Sequence, residues 1–355
     1  MHKKPTVSCA IVLNYLTGYT CAMIETVRGY LADTTFVWRS ICASLVVAAF
    51  GGAWDIWWHR FVGRDTFFEP PHIMLYSGIT IAVAIGFFAW RIHGTRTWRK
   101  IAFALLGIPL LVAPFDEMWH RIFGIEDLTS VWIIWSPPHV ALVLAIAWAL
   151  ILLVPFVRRD ESDARWFFGS MLFAIVLFLG AFLTIPFAPE GQFHLAGWWG
   201  PLARAGVFVA ILLCGQRVLG GSFAALSIAV YYSAFVAVGA GVGVKSLDIL
   251  MLPHFELPTW LFVFAVMGLA LVLDALKKMN IVFLGTIAGG VWALILYGAG
   301  AYFAPVEFSY GFSESFAATV SGVIGGLCGG IVAKVVMEPR EQTVYTESVP
   351  FAPRD

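Results

Sequence analysis

The sequence predicts an all-α protein, a polytopic bundle of about ten transmembrane helices. Hydrophobic residues make up 60% of the chain and charged residues 12%, whereas soluble globular chains have roughly 45–50% and about 25%. The mean hydropathy is +0.85. Apolar segments of about 20 residues, the length that crosses roughly 30 Å of hydrocarbon, recur along the chain. The lipid bilayer is therefore a predicted partner. Lys plus Arg equals Asp plus Glu at 22 each, so no basic excess indicates nucleic acid.

The predicted spans lie at 36–59, 71–91, 99–119, 131–156, 166–187, 198–216, 221–244, 258–276, 280–303 and 314–337. An earlier apolar segment, 7–26, contains several polar residues. It is predicted to be an interfacial or re-entrant helix, with an eleventh span as the alternative. The chain is thus divided into an N-terminal cytoplasmic or interfacial segment (1–35), a four-helix half (36–157), a six-helix half rich in Gly and Ala (166–337), and a cytoplasmic tail (338–355).

Basic residues indicate the orientation of the spans. Lys and Arg cluster after the even-numbered spans, as at 91–100, 158–165 and 277–278. Short loops rich in Lys and Arg face the cytoplasm in membrane proteins. Both termini are therefore predicted to be cytoplasmic, in a bacterial-type inner (cytoplasmic) membrane. The loops after odd-numbered spans are predicted to face outward.

The four-helix half contains an internal repeat in which carboxylates and histidines keep the same spacing. The shared pattern is D-x-x-W-H-R-[FI]-x-G, followed by P-P-H. The first copy contains Asp55, His59 and His72, and the second copy contains Asp116, His120 and His139. Each copy is predicted to be a helix end, an outward loop and the start of the next helix.

The spacing predicts a metal site. Side chains four residues apart share one helix face, so each Asp can bind an ion together with the His that follows it. Pro suits the first turn of a helix, which places the third His just inside the next helix. The six candidate ligands then meet near the outer face: Asp55, His59, His72, Asp116, His120 and His139.

Two interpretations of these residues compete. A single His at a helix end is usually an ordinary interfacial residue. Ionisable groups inside apolar spans, however, are costly and rare without a role, and here they occur in two copies. Imidazole with carboxylate suits copper, zinc or iron, whereas calcium and magnesium prefer oxygen ligands.

At these residues the chain resembles the copper-site subunit of the copper membrane monooxygenases, the particulate methane and ammonia monooxygenases. The family motif there is D-x-x-W-H-x4-R-D-T-x-F-x-P-x-H-I. The matching residues here are Asp55, Trp58, His59, Arg64, Asp65, Thr66, Phe68, Pro70, His72 and Ile73. The second element of the family, Asn-Glu-x-x-His, then Glu-Glu-Leu and Pro-x-His, corresponds to Asp116, Glu117, His120, Glu126, Asp127, Leu128, Pro137 and His139. The resemblance covers about residues 37–155, and Asp116 stands where the family has Asn.

The resemblance implies a copper centre at which catalysis takes place, held by Asp55, His59 and His72. It implies an adjacent position formed by Asp116, His120 and a shared His72, with His139 as a further ligand. It also implies further monooxygenase-type subunits and a homotrimer. Copper is therefore the expected cofactor, ahead of zinc or iron.

The predicted function is oxygen-dependent hydroxylation of a small nonpolar substrate. Two alternatives remain open, a copper-handling or transport protein and a zinc-dependent membrane hydrolase in which Glu117 or Glu69 is the general base. For the hydroxylase, aromatic residues are expected to line an apolar pocket, with an ordinary interfacial belt as the alternative. This set is Trp54, Trp57, Trp58, Phe67, Phe68, Trp119, Trp132 and Trp135.

The predicted orientation is tested with topology reporters. Fusions at residues 95, 160 and 278 should all report the cytoplasm, because each position lies in a basic loop after an even-numbered span. A periplasmic signal from any of the three fusions would contradict the topology.

Overall fold

The protein is an all-α, multi-pass membrane protein. A computed structural model describes residues 25–62, 68–123, 135–184, 199–251, 259–299 and 312–337. In these ranges there is no strand, and a short helical stretch at 25–32 precedes the main helices. These are α1 (Thr34–Phe61), α2 (Pro70–His93), α3 (Arg96–Phe123), α4 (Pro137–Arg159), α5 (Ala164–Leu183), α6 (Trp199–Leu219), α7 (Ala224–Ile249), α8 (Thr259–Ala275), α9 (Ile281–Ala299) and α10 (Phe312–Met337).

Each predicted span corresponds to one of these helices. Among the described residues, nine helices are long and apolar enough to cross a membrane. The remaining helix, α8, is apolar but shorter than these nine. Its 17 residues give a length of about 26 Å at 1.5 Å per residue. The N-terminal segment up to residue 24, the tail from 338 onward and residues 131–134 of the predicted fourth span lie outside the described residues. Trp135 and Ser136 also belong to that predicted span, but they precede the helix, which begins at Pro137 after the Ser136 cap.

Side chains placed just before the helices satisfy the backbone N–H groups of the first turn. Asp33 accepts from Thr35 N at 2.8 Å before α1, and Asn280 accepts from Val282 N at 3.0 Å before α9. Each of these polar residues therefore defines where its helix begins.

Helix α7 is capped by a residue from another helix. The buried carboxylate of Asp274, near the end of α8, accepts from Leu226 N at 2.8 Å and Ala225 N at 3.2 Å. Gln216 of α6 donates to the same carboxylate at 2.8 Å. Asp274 thus joins three helices at one end of the bundle.

The loops after the even-numbered helices lie at this same end. Arg165 donates to the carbonyl of Leu219 at 2.7 Å, which joins the start of α5, directly after the α4–α5 loop, to the end of α6. Lys277 donates to the carbonyl of Gly221 at 3.1 Å, which joins the α8–α9 loop to the α6–α7 loop. The basic loops predicted to share one side of the membrane therefore share one end of the bundle.

An ion pair fastens the start of α1 to the α4–α5 loop. Arg39 donates from Nε to Asp160 Oδ2 at 2.9 Å and also binds it through Nη2. Ser162 donates to Asp160 Oδ1 from its backbone N at 3.1 Å and its hydroxyl at 2.9 Å. Burial alone would raise the pKa of the Asp160 carboxyl, but the hydrogen bonds from Arg39 and Ser162 and the guanidinium charge lower it below its usual value.

The second half of the bundle is held by close helix contacts at glycines. A Cβ added to Gly285 of α9 would lie 2.6 Å from the carbonyl oxygen of Gly326 of α10, a separation that real side chains do not adopt. Small residues let backbones approach in this way where lipid provides no hydrophobic drive between helices. The Gly-rich pattern of this half therefore reflects packing between neighbouring helices.

The Arg39–Asp160 pair predicts a pH-dependent contribution to stability. The folded-state pKa of Asp160 is lowered, so its contribution is present above the unfolded pKa of about 3.9 and is lost as pH falls through the folded value. Asp160→Asn should lower the free energy of unfolding in detergent by about 1.5–3 kcal/mol at neutral pH. The difference between wild type and Asp160→Asn should shrink below about pH 4. A difference that stays constant down to pH 2 would contradict this account.

Candidate metal centre

The first copy of the repeat is brought together by a close crossing of α1 and α2. A Cβ added to Gly51 would lie 2.5 Å from the backbone nitrogen of Leu75, so the two backbones touch there. Asp55 lies about one turn after Gly51, and His72 lies three residues before Leu75. The crossing therefore places His72 Nε2 at 3.3 Å from Asp55 Oδ1.

A first cluster consists of Asp55, Glu69 and His72, whose ligand atoms all lie within 4.8 Å of one another. Glu69 and His72 are buried, with exposures of 5% and 6%. Glu69 is the residue just before α2, which begins at Pro70 as the Pro-Pro pair predicts. The backbone of His59 lies in α1, but its side chain lies outside the described residues.

A second cluster, Asp116, His120 and His139, forms from the second copy of the repeat. Asp116 Oδ1 lies 3.3 Å from His120 Nε2 on the same helix and 3.2 Å from His139 Nε2 on α4. Asp116 and His120 are buried. Ser136 accepts from the backbone N of His139 at 3.4 Å, which stabilises the helix start that carries this ligand.

A π-helical turn directly precedes the second cluster. Residues Ile108–Val112 of α3 are π-helical, and the α-helix resumes at Ala113. Pro109 has no N–H to donate to a regular helix. A π turn changes the direction of the side chains that follow it, and such turns are frequent at functional sites. Asp116 lies in the first regular turn after this change.

The spacing of these donors fits a metal ion. Bonds of about 2.0–2.1 Å in a tetrahedral arrangement separate neighbouring ligand atoms by about 3.3 Å. The Asp–His separations of 3.2 and 3.3 Å match this value. A direct charge-assisted hydrogen bond is shorter, about 2.7–2.9 Å. The donor sets, one or two imidazoles with one or two carboxylates, also suit a transition metal.

The structure arranges the predicted ligands in two sets. Five of the six have described side chains, and each of the five belongs to one of the clusters. His72 belongs with Asp55 and Glu69. The family resemblance implied in addition that His72 is shared with a second position formed by Asp116 and His120, whereas the second cluster here consists of Asp116, His120 and His139.

Glu69 is a candidate ligand that the repeat pattern did not identify. The equivalent residue in the second copy is Ser136, so Glu69 is not part of the shared pattern. Glu69 lies directly before the Pro-Pro pair, three residues before His72. This proximity to His72 in the sequence was the signal that could have identified it.

Both clusters border one apolar cavity of about 140 Å³, lined by residues of α1, α2, α3, α4 and α5. Four cluster residues line it: Asp55, His72, Asp116 and His139. The other walls are almost entirely apolar, formed by Leu45, Ala48, Ala49, Gly52, Ile56, Leu75, Tyr76, Leu142, Val143, Ile146, Ile175, Phe178, Leu179 and Phe182. The two clusters therefore share a chamber, although no residue with a described side chain belongs to both.

The expectation that the predicted aromatic set lines this pocket is wrong for the members that the structure describes. None of the described members of that aromatic set lines the cavity, and Phe67 and Trp132 lie outside the described residues. Trp57 faces Gly243 of α7, and Trp119 packs on Phe123 with ring centroids 4.3 Å apart. These rings lie on other faces of their helices, whereas the cavity walls are formed mostly by aliphatic residues, together with Tyr76, Phe178 and Phe182.

Two aromatic rings hold the imidazoles in place. Tyr76 lies edge-on to His72, with ring centroids 6.1 Å apart. Phe182 lies edge-on to His139 at 6.3 Å. Tyr76 is one turn after His72 on α2, and Phe182 reaches His139 from α5. Both rings line the cavity, so they connect its walls to the candidate ligands.

Comparisons of the chain with protein-family models, with curated proteins and with solved structures give no match. The candidate centre is therefore defined by its own side chains and their geometry.

The α1–α2 crossing predicts different effects at two neighbouring glycines. Gly51→Ala should lower the free energy of unfolding by about 1–3 kcal/mol, because the new methyl group forces the helices apart. Gly52→Ala is the matched control, since a Cβ there would lie 3.8 Å from its nearest neighbour, Phe178, and it should change stability by less than about 0.5 kcal/mol. Unfolding in detergent measures both. Equal effects at the two positions would contradict a crossing at Gly51.

Proposed function

We propose that this chain is a membrane-bound copper protein that hydroxylates a small nonpolar substrate with dioxygen. One observation carries the proposal, namely that two imidazole–carboxylate clusters border a single apolar cavity within a membrane bundle. Buried carboxylates and imidazoles are costly in such surroundings. A divalent ion bound by them offsets this cost, because its charge neutralises the carboxylates.

Copper is favoured by the donors and by the resemblance. Imidazole nitrogen suits copper, and among divalent first-row ions Cu²⁺ has the highest general affinity for such sites. In the sequence, Asp55, His59 and His72 also form the Asp-x3-His and returning His that resemble the copper motif of the membrane monooxygenases. We therefore assign copper to Asp55, His59 and His72, with Glu69 as an additional donor, and to Asp116, His120 and His139.

A copper ion held there would supply dioxygen binding and one-electron redox chemistry. The overall reaction consumes one dioxygen, two electrons and two protons for each substrate C–H bond converted to C–OH, and it releases water. The proposal therefore requires a two-electron donor. A cavity of 140 Å³ is close to the size, about 150 Å³, that holds a benzene-sized molecule. Its largely apolar walls exclude water and receive a nonpolar molecule from the lipid.

Tyr76 is the candidate proton-bearing group in the chamber. It is the only hydroxyl-bearing residue among the described residues that line the cavity. Its ring lies beside His72, which keeps the phenol close to the first cluster. A phenol both donates and accepts hydrogen bonds, so Tyr76 can hold a proton at Oη next to the substrate.

Metal binding is tested with two histidine variants. Purified protein should bind copper, and its Cu(II) electron paramagnetic resonance spectrum should show splitting by imidazole nitrogen. His139→Ala should lower the bound copper by about half, because one of two clusters loses a nitrogen donor. The control is His93→Ala. His93 is the last residue of α2, at the end of that helix opposite to His72. Its Nε2 is 3.0 Å from the carbonyl oxygen of Leu31, and its loss should leave the copper content unchanged.

Oxygen consumption distinguishes the proposal from its alternatives. Copper-loaded protein with an electron donor should consume dioxygen in the presence of a small hydrocarbon and form the corresponding alcohol. Copper binding without oxygen consumption would favour a copper-handling or transport protein. Zinc at full occupancy in place of copper would favour a hydrolase. Either result would overturn the hydroxylase.

A further inference from the structure

A second cavity, of about 150 Å³, is lined by residues of α1 and of α5 to α9. We propose that this cavity binds a small neutral molecule that consists of an apolar ring and an oxygen atom that accepts a hydrogen bond. The space is close in size to a cavity that holds one benzene molecule. The site is separate from the metal clusters, and the inference stands independently of the proposed function.

The walls of this cavity favour a ring-shaped ligand. Phe208 of α6 lies edge-on to Tyr232 of α7 and to Trp292 of α9, with ring centroids 5.8 and 5.9 Å apart. Aromatic rings attract one another in edge-on and in offset arrangements. A flat apolar body in the space would therefore join a set of rings that three helices already hold in place. The aromatic side chains that line the cavity are Phe178, Phe182, Phe208, Tyr232, Phe262 and Trp292.

Trp292 provides a hydrogen-bond donor for the ligand. Its side chain is fully buried and lines the cavity, and its Nε1 has no hydrogen-bond partner among the described residues. Buried indole N–H groups normally find an acceptor, because an unpaired buried donor costs free energy. An oxygen atom of a molecule bound in the cavity would satisfy this N–H. The ligand is therefore expected to carry an acceptor.

An uncharged ligand fits this site best. The indole N–H is a neutral donor, and burying an ion among apolar walls costs far more free energy than burying a neutral group that is hydrogen-bonded. Arg204 of α6 also lines the cavity, and its guanidinium carbon lies 5.5 Å from the centre of the Phe262 ring. This side chain thus packs against the aromatic wall, and recognition of a neutral ligand through Trp292 does not require its charge.

The second cavity adjoins the metal cavity. Three side chains, Ile56, Phe178 and Phe182, line both spaces. A ligand in the second cavity therefore packs against a wall of the metal chamber. Small apolar molecules also fit the metal chamber itself, so a test has to distinguish the two spaces. Trp292 lines the second cavity and not the first, and substitution of this residue makes the distinction.

Equilibrium dialysis of the full chain in lipid nanodiscs tests the inference, with empty nanodiscs of the same lipid as the blank. The probes are cyclohexanone, methylcyclohexane, which has a methyl group in place of the oxygen, and cyclohexanecarboxylate, which is charged. Wild type should retain cyclohexanone beyond the blank and bind it more tightly than the carboxylate. Chelator-treated protein should retain it equally well, which distinguishes failure here from failure of the copper proposal.

Substitutions assign the binding to this cavity. Trp292→Phe should weaken cyclohexanone binding about three- to tenfold more than methylcyclohexane binding, because only the ketone loses a hydrogen bond. The matched control is Trp148→Phe, because Trp148 is a half-exposed tryptophan of α4 that lines neither cavity, and it should leave both affinities unchanged. If Trp292→Phe does not fold, benzothienylalanine at position 292 replaces it, since this residue keeps the shape of the indole without its N–H.

Several outcomes of these measurements would overturn the inference. One is equal weakening of the two uncharged probes by the change at position 292, and another is tighter binding of the carboxylate than of the ketone. A wild-type protein that retains no cyclohexanone beyond the blank has the same consequence. Retention that disappears with the metal would place the ligand in the metal chamber, and this too would contradict a site at Trp292.

Discussion

Close approach of helix backbones at small residues is the interaction on which both the bundle and its candidate metal centre depend. Lipid tails are as apolar as the helices, so association relies on packing. At Gly51 the backbone of α1 touches that of α2, and one turn further along the same helices Asp55 meets His72. In the second half, contacts such as Gly285 on Gly326 bring α9 against α10. The same kind of contact therefore holds the fold together and positions the first cluster.

The two copies of the repeat follow the same plan with different details. Both place an Asp near the end of one helix and a His in the first turn of the next. The first copy has Glu69 directly before its Pro-Pro pair, whereas the second has Ser136 there, which caps α4. The first cluster is consequently richer in carboxylate. Two centres with unlike donor sets border the same chamber, and they will differ in the charge that they present to it.

The two halves of the chain meet around the functional region. Ile56 of α1 and Phe178 and Phe182 of α5 separate the metal chamber from the cavity that contains Arg204. The six-helix half thus provides close packing and also contributes a second cavity next to the metal chamber. At the opposite end of the bundle, Asp160 and Asp274 hold the loops in place. Polar side chains at that end stabilise the fold, whereas those at the clusters face a cavity.

Local sequence determined the helices and most of the candidate ligands. Apolar length specifies a span, Pro-Pro specifies a helix start, and an interval of four residues specifies a shared face; each of these signals acts within one helix. Hence the ten helices, the starts of α2 and α4, and the pairing of Asp116 with His120 could be predicted. The grouping of His72 with Glu69, the set of residues that form the walls of the chamber and the burial of Arg204 were decided by tertiary structure. They depend on how the helices cross and rotate against one another, which no interval along a single helix encodes.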